Sequence, residues 1–185
     1  MILSQQKWLR SVVVGALCTA VLVSCQTTGG TRVVDISETR IVFPEGLKSL
    51  KGFEIGKAEI SESGSFRNES VFFTGGYFSY SRYFHGGFRP MSKNRMRQHT
   101  VEAFPTATYI GPIRSVNVGI GQVYYTTFKN DGETCFFMKG NSGPSAELRS
   151  GSGSTALTAG LYCEPGHRPD LERRVLKWMK LVKLR

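Results

Sequence analysis

The feature that most narrows what this chain can fold into is the run over residues 69–84. Two β-favouring segments, 69–74 and 77–84, flank Gly75-Gly76, a pair whose freedom at positive φ suits a two-residue turn. The spacing predicts a β-hairpin. Eight aromatics fall between 72 and 88: Phe72, Phe73, Tyr77, Phe78, Tyr80, Tyr83, Phe84 and Phe88. Period two places Tyr77, Ser79, Ser81 and Tyr83 on one face and Phe78, Tyr80, Arg82 and Phe84 on the other. The more apolar face is expected to enter the core.

Strand signals continue on both sides of this hairpin. Residues 31–43 are rich in β-branched side chains and read as one strand or two short ones, ended by Pro44. Residues 47–60 have no decisive period. Residues 113–128 read as strand, with a bulge or bend at Gly119-Ile120-Gly121. Lys129-Asn130-Asp131-Gly132 then turns the chain into a strand over 133–139, because Asp-Gly between apolar runs is a strong hairpin signal. The Gly- and Ser-rich stretch 140–154 is expected to be a mobile surface loop, and 155–163 a strand returning beside Cys135.

Helical character is confined to two places. Residues 91–103 lie between Pro90 and Pro105 and carry Lys93, Arg95 and Arg97 with no acid until Glu102. After Pro169-Asp170, residues Leu171, Val175, Trp178, Met179 and Val182 recur on one helical stripe, opposite Arg173, Arg174, Lys177, Lys180 and Lys183. That stripe suits packing on a sheet, or a helix lying at a membrane interface. The expected fold class is α+β: one antiparallel sheet of about five or six strands with a C-terminal amphipathic helix packed on it. With 21% charged and 11% aromatic residues among 185, the chain is too hydrophobic for a disordered protein and fits one domain.

The amino terminus bears on location. Lys7 and Arg10 precede an apolar run over 12–23, which as a helix would span only about 18 Å. This is the layout of a secretory signal. The run ends in Leu22-Val23-Ser24-Cys25, which resembles the lipobox of bacterial lipoproteins. The resemblance implies cleavage between Ser24 and Cys25, a diacylglycerol on the Cys25 sulfur and acylation of the new amino group. Gln26, where Asp would imply inner-membrane retention, implies the outer membrane. The resulting division is a signal peptide over 1–24, a lipidated cysteine and short linker over 25–31, and a single periplasmic domain over 32–185. Two or three acyl chains hold a protein at a membrane nearly permanently, at about 0.8 kcal/mol per buried methylene.

Loss of the leader removes Cys18 and commits Cys25, leaving Cys135 and Cys163 in an oxidising compartment. They are expected to form a disulfide, closing a loop of about 29 residues for roughly 3.5 kcal/mol of stabilisation. Two unpaired buried thiols are the alternative. No metal site is expected, since only His167 lies at short spacing from either cysteine. Loss of Lys7 and Arg10 takes the formal charge from +10 to +8, so the domain stays basic beside a lipid surface.

Motifs for chemistry are sparse. His85, His99 and His167 have no Ser, Cys or carboxylate in a catalytic pattern, Ser142 lacks the nucleophile-elbow spacing, and Gly119-Ile120-Gly121 lacks the rest of a dinucleotide fingerprint. No cofactor is expected. The aromatic hairpin does run into basic residues, which marks Tyr77, Arg82, Tyr83, Arg89, Arg95 and Arg97 as candidate ligand-binding groups. Aromatic faces stack on sugars, and Arg engages phosphate or carboxylate. The expected role is a non-enzymatic one in the envelope, structural or ligand-binding. Its partners would be the membrane through the anchor and an envelope protein, an acidic glycan or a lipid head group, and not nucleic acid. A small hydrolase or transferase acting on envelope polymers is the alternative, and the plain reading of the aromatics is core.

Overall fold

The computed structural model describes residues 29–45, 53–148 and 151–185. The leader, Cys25 and the first part of the linker lie outside the described residues. Among the described residues eleven strands and two α-helices follow in order: β1 (Thr31–Val34), β2 (Ile41–Val42), β3 (Ile55–Ser63), β4 (Phe66–Phe73), β5 (Gly76–Tyr83), α1 (Lys93–Ala103), β6 (Tyr109–Ile110), β7 (Arg114–Val118), β8 (Gly121–Asn130), β9 (Glu133–Leu148), β10 (Gly151–Pro165), α2 (Leu171–Met179) and β11 (Lys183–Leu184). A 3-10 turn at Ile36–Glu38 separates β1 from β2 and is closed by a capping box between Asp35 and Glu38. No helix among the described residues is long and apolar enough to cross a membrane.

The fold is α+β, with a wider sheet than the sequence predicts. Nine strands form one antiparallel sheet in the order β1-β3-β4-β5-β10-β9-β8-β6, with β7 also on β8, in place of the expected five or six. β2 and β11 make a separate two-stranded sheet. The difference has three sources, one of them the short edge strand β6 on the end of β8. Residues 55–63, without a clear period, pair with β4 through a two-residue turn at Gly64-Ser65. Gly119-Ile120 is not a bulge but the turn of a β7–β8 hairpin, with Val118 opposite Gly121.

Turn chemistry explains the other reversals. Asp131 and Gly132 both have positive φ, 49° and 81°, as a two-residue primed turn requires, and they join β8 to β9. The aromatic hairpin turns one residue earlier than its sequence suggests: Phe73 pairs with Gly76, so Thr74-Gly75 form the loop.

Residues 140–148 and 151–154 are not a loop. They belong to β9 and β10, which pair Asn141 with Leu157 at the base and Ala146 with Gly153 farther out. Gly140 sits inside the sheet, where a Cβ would collide with the Gln122 carbonyl oxygen. Its glycine serves a close backbone approach and not flexibility.

Helices cover both faces of the sheet, unequally. On one face α2 presents Leu171, Val175, Trp178 and Met179 to the main core, with Trp178 edge-on to Phe73 at 6.0 Å and to Tyr162 at 6.3 Å. The helix ends at Met179, so Val182 reaches the same core from the segment leading into β11. On the other face α1 covers only the β8–β9 end, where Met96, Phe128, Cys135 and Phe137 form a second cluster. Cys135 and Cys163 are directly opposed on β9 and β10 and joined by a disulfide.

Candidate functional site

Because α1 stops short, the face of β4, β5 and β10 beside it has no helix over it among the described residues. Cross-strand partners in an antiparallel sheet share a face, so the register lists what this face carries. One row runs Ser70, Ser79, Ala159, Lys139 and Tyr124 across β4, β5, β10, β9 and β8. The neighbouring rows are Phe72, Tyr77, Leu161 and Phe137 on one side, and Asn68, Ser81, Leu157 and Asn141 on the other. Asn68 and the two serines are linked, Ser81 Oγ donating to Asn68 Oδ1 at 2.7 Å and Asn68 Nδ2 to Ser70 Oγ at 3.0 Å.

At the α1 edge of this face lies a groove of about 390 Å³, lined by Phe88, Arg89, Met91, Arg95, Gln98, His99, Lys139 and Leu157. Its construction is local. Asn141 on β9 holds the strap before the helix: its Nδ2 donates to the Arg89 carbonyl at 3.2 Å and its Oδ1 accepts from the Met91 amide. Phe88 and Ser154 exchange backbone hydrogen bonds at 2.7 and 3.0 Å, fixing the strap to β10. Ser92 then caps α1, accepting from the Arg95 amide, and spacing of three and four residues brings Arg95, Gln98 and His99 onto the groove side.

The groove is electropositive. Among the described residues no ion pair within 4.0 Å involves Arg89, Arg95 or Lys139. The nearest acid acting on it is Glu102, 3.8 Å from His99 Nδ1 and one turn along the outer helix face. Desolvation holds the half-buried Lys139 ammonium below the ordinary lysine range, with Glu102 pulling weakly the other way. Desolvation likewise holds His99 down, helped by Lys139 and Arg95 and opposed by Glu102, so this imidazole stays neutral to lower pH than usual.

The structure brings some of the sequence-predicted residues together and separates others. Arg89 and Arg95 meet at the groove. Tyr83 stands beside it, 4.8 Å from the Phe88 ring and 5.2 Å from Phe66. Tyr77 shares the open face and pairs with Phe72 at 6.2 Å, over which Lys57 Nζ sits at 5.0 Å. Arg82 is on the opposite face, 5.8 Å over Phe84, and Arg97 lies on the solvent side of α1. Of the eight hairpin aromatics, Phe73, Phe78 and Tyr80 are buried, Phe84 is exposed, and the other four are half-buried. The hairpin therefore supplies core on one side and an accessible face on the other.

Lys139 and Asn141 were not singled out by the sequence. The signal for Lys139 was a lone cation inside the apolar run that holds Phe136-Phe137-Met138. Asn141 carried none, since its stretch read as loop. Of the other histidines, His85 is exposed after β5, and His167 is exposed beside Arg168. Glu133 gathers with Cys135 and Cys163 within 4.8 Å, but both sulfurs are in the disulfide and offer no thiolate. Neither a family model, nor a characterised protein, nor a solved structure matches this chain.

Proposed function

We propose that this chain is a lipid-anchored envelope protein that holds an anionic ligand, without transforming it, in the groove between α1 and the sheet. The observation that carries the reading is Lys139: a half-buried ammonium in mid-sheet, beside Arg89 and Arg95, with no carboxylate at ion-pair distance among the described residues. A cation taken partly out of water without a partner is costly, and an anion entering the groove recovers that cost through charge-assisted hydrogen bonds. Phe88, Met91 and Leu157 add apolar walls. Binding is favoured over hydrolysis or group transfer because the groove gathers cations around Phe88 and its lining places no nucleophile against its one histidine. Location rests on the sequence of residues 1–25 and its likeness to lipoprotein leaders.

The reading is tested by calorimetric titration of the full-length acylated protein, in discs of uncharged lipid, with inorganic pyrophosphate as the simplest multivalent probe. Binding should weaken with rising salt, and the double variant Arg89→Gln with Lys139→Gln should lose about tenfold or more in affinity. Binding that ignores both salt and the two substitutions would show that the groove is not the site. Cys25→Ser should release the protein into the soluble periplasmic fraction, and retention in the membrane would refute the anchor.

A further inference from the structure

The basic groove opens at one side onto the uncovered face of β4, β5 and β10, and the two surfaces together are larger and chemically more specific than either. We infer that the ligand is an extended acidic glycan, one strand of carboxylate-bearing sugars, lying across this face with a charged group seated against Arg89, Arg95 and Lys139. The inference rests on the anion-binding reading and deepens it.

The register sets the geometry. Ser79 and Lys139 stand in one row two strands apart, about 10 Å at ordinary strand spacing. Small side chains, Ser79 and Ala159, occupy the positions before the lysine, so nothing tall blocks the approach along that row. Phe72 with Tyr77 flank it on one side, and Phe66, Tyr83 and Phe88 form a second aromatic group toward the groove. Between the two groups the floor offers the side chains of Asn68 and Ser81, chained to each other and to the buried Ser70, and beside them the Ser79 hydroxyl, which donates to the Ala159 carbonyl at 3.5 Å.

A sugar ring has apolar faces and a polar rim, which matches aromatic side chains flanking a floor of hydroxyls and amides. A lipid head group would use the cations but would set acyl chains against this polar floor, at a desolvation cost. The charge sets the sign: three cations with no ion-pair partner among the described residues require acid on the ligand. A single-stranded nucleic acid combines the same features, and it is distinguished by experiment.

The test uses the full-length protein in discs of uncharged phosphatidylcholine, titrated with linear uronic acid oligomers of two and of eight sugars. A neutral glucan octamer, oligothymidylate and phosphatidylglycerol vesicles are run beside them. The octamer should bind about tenfold more tightly than the disaccharide, because only the longer chain covers both groove and face. Tyr77→Ala should weaken octamer binding about fivefold and leave the disaccharide unchanged. Ser79→Glu, which removes no packing group and sets a carboxylate on the floor, should do the same by repulsion, with an unchanged melting curve as its control. Equal affinity for both lengths, or an octamer indifferent to Ser79→Glu, would overturn the inference while leaving a groove that binds small anions. Tighter binding of the neutral glucan, of oligothymidylate or of the vesicles would overturn it in favour of that ligand. Failure of every anion, pyrophosphate included, would remove the underlying reading as well.

Discussion

Two charged side chains on the sheet illustrate opposite solutions to burial. Glu69, 1% exposed, accepts from Arg67 Nε at 2.8 Å and from the Arg40 amide at 2.5 Å, so its charge is answered within the fold. Removing one partner from such a pair leaves an uncompensated buried charge, and Arg67→Ala should cost about 3 kcal/mol in a denaturant titration. Lys139 is only half-buried, and its charge has no such answer. Lys139→Met should therefore raise the melting temperature by about 1–3 °C while abolishing anion binding, the trade expected of a functional group held at some cost in stability. A melting temperature that falls would mean that Lys139 is structural.

At the scale of elements, α2 is held on the sheet by ions as well as by its apolar stripe. Arg174 grips Glu164 of β10 with both terminal nitrogens, at 2.7 and 2.6 Å, and its Nε donates to Asp170 at 2.8 Å. The Arg174 guanidinium holds the Glu164 carboxyl below the usual carboxylate range. A carboxyl depressed in the folded state stabilises fully above its unfolded pKa and loses that contribution as pH falls through the folded value. Melting temperature should thus fall with acid below about pH 5, and Arg174→Met should flatten part of that slope by removing the cause of the depression.

What was legible in the sequence followed the strength of local signals. The aromatic alternation, Asp131-Gly132 and the stripe of Leu171, Val175, Trp178 and Met179 each specify an element without help from distant residues, and all three elements are present. The outer β9–β10 hairpin was hidden because glycine and serine are weak strand formers, and pairing across the hairpin rather than propensity makes these residues extended. β3 was hidden for a similar reason: only Ala58 and Ile60 are fully buried, Ile55 is partly so, and Gly56 and Lys57 between them are exposed, so no clear period results. Of the site, the hairpin's basic and aromatic residues could be read, whereas the meeting of Arg89 and Arg95 with Lys139 depends on the long-range clamp at Asn141.

For the whole molecule, the two middle strands β9 and β10 are the axis on which both helices and the open face depend, and the Cys135–Cys163 disulfide locks them in register across 28 residues of sequence. Reduction, or Cys135→Ala with Cys163→Ala, should lower the melting temperature by about 10 °C, corresponding to roughly 3.5 kcal/mol of lost constraint on the unfolded chain. The same lock keeps Lys139, four residues beyond Cys135, opposite Ala159 on the face where the ligand is expected. If Cys25 carries the lipid as proposed, this face would work close to a membrane surface.

The most direct single measurement follows the Lys139 ammonium by nitrogen NMR through a pH titration, with and without the uronate octamer. Burial and Glu102 act on it, and Arg89, Arg95 and His99 line the same groove. In the free protein the ammonium should titrate below the ordinary lysine value, and with the acidic chain bound it should move upward as a carboxylate takes its place beside it. A Lys139 that titrates identically in both samples, while the octamer is bound elsewhere or not at all, would contradict the account.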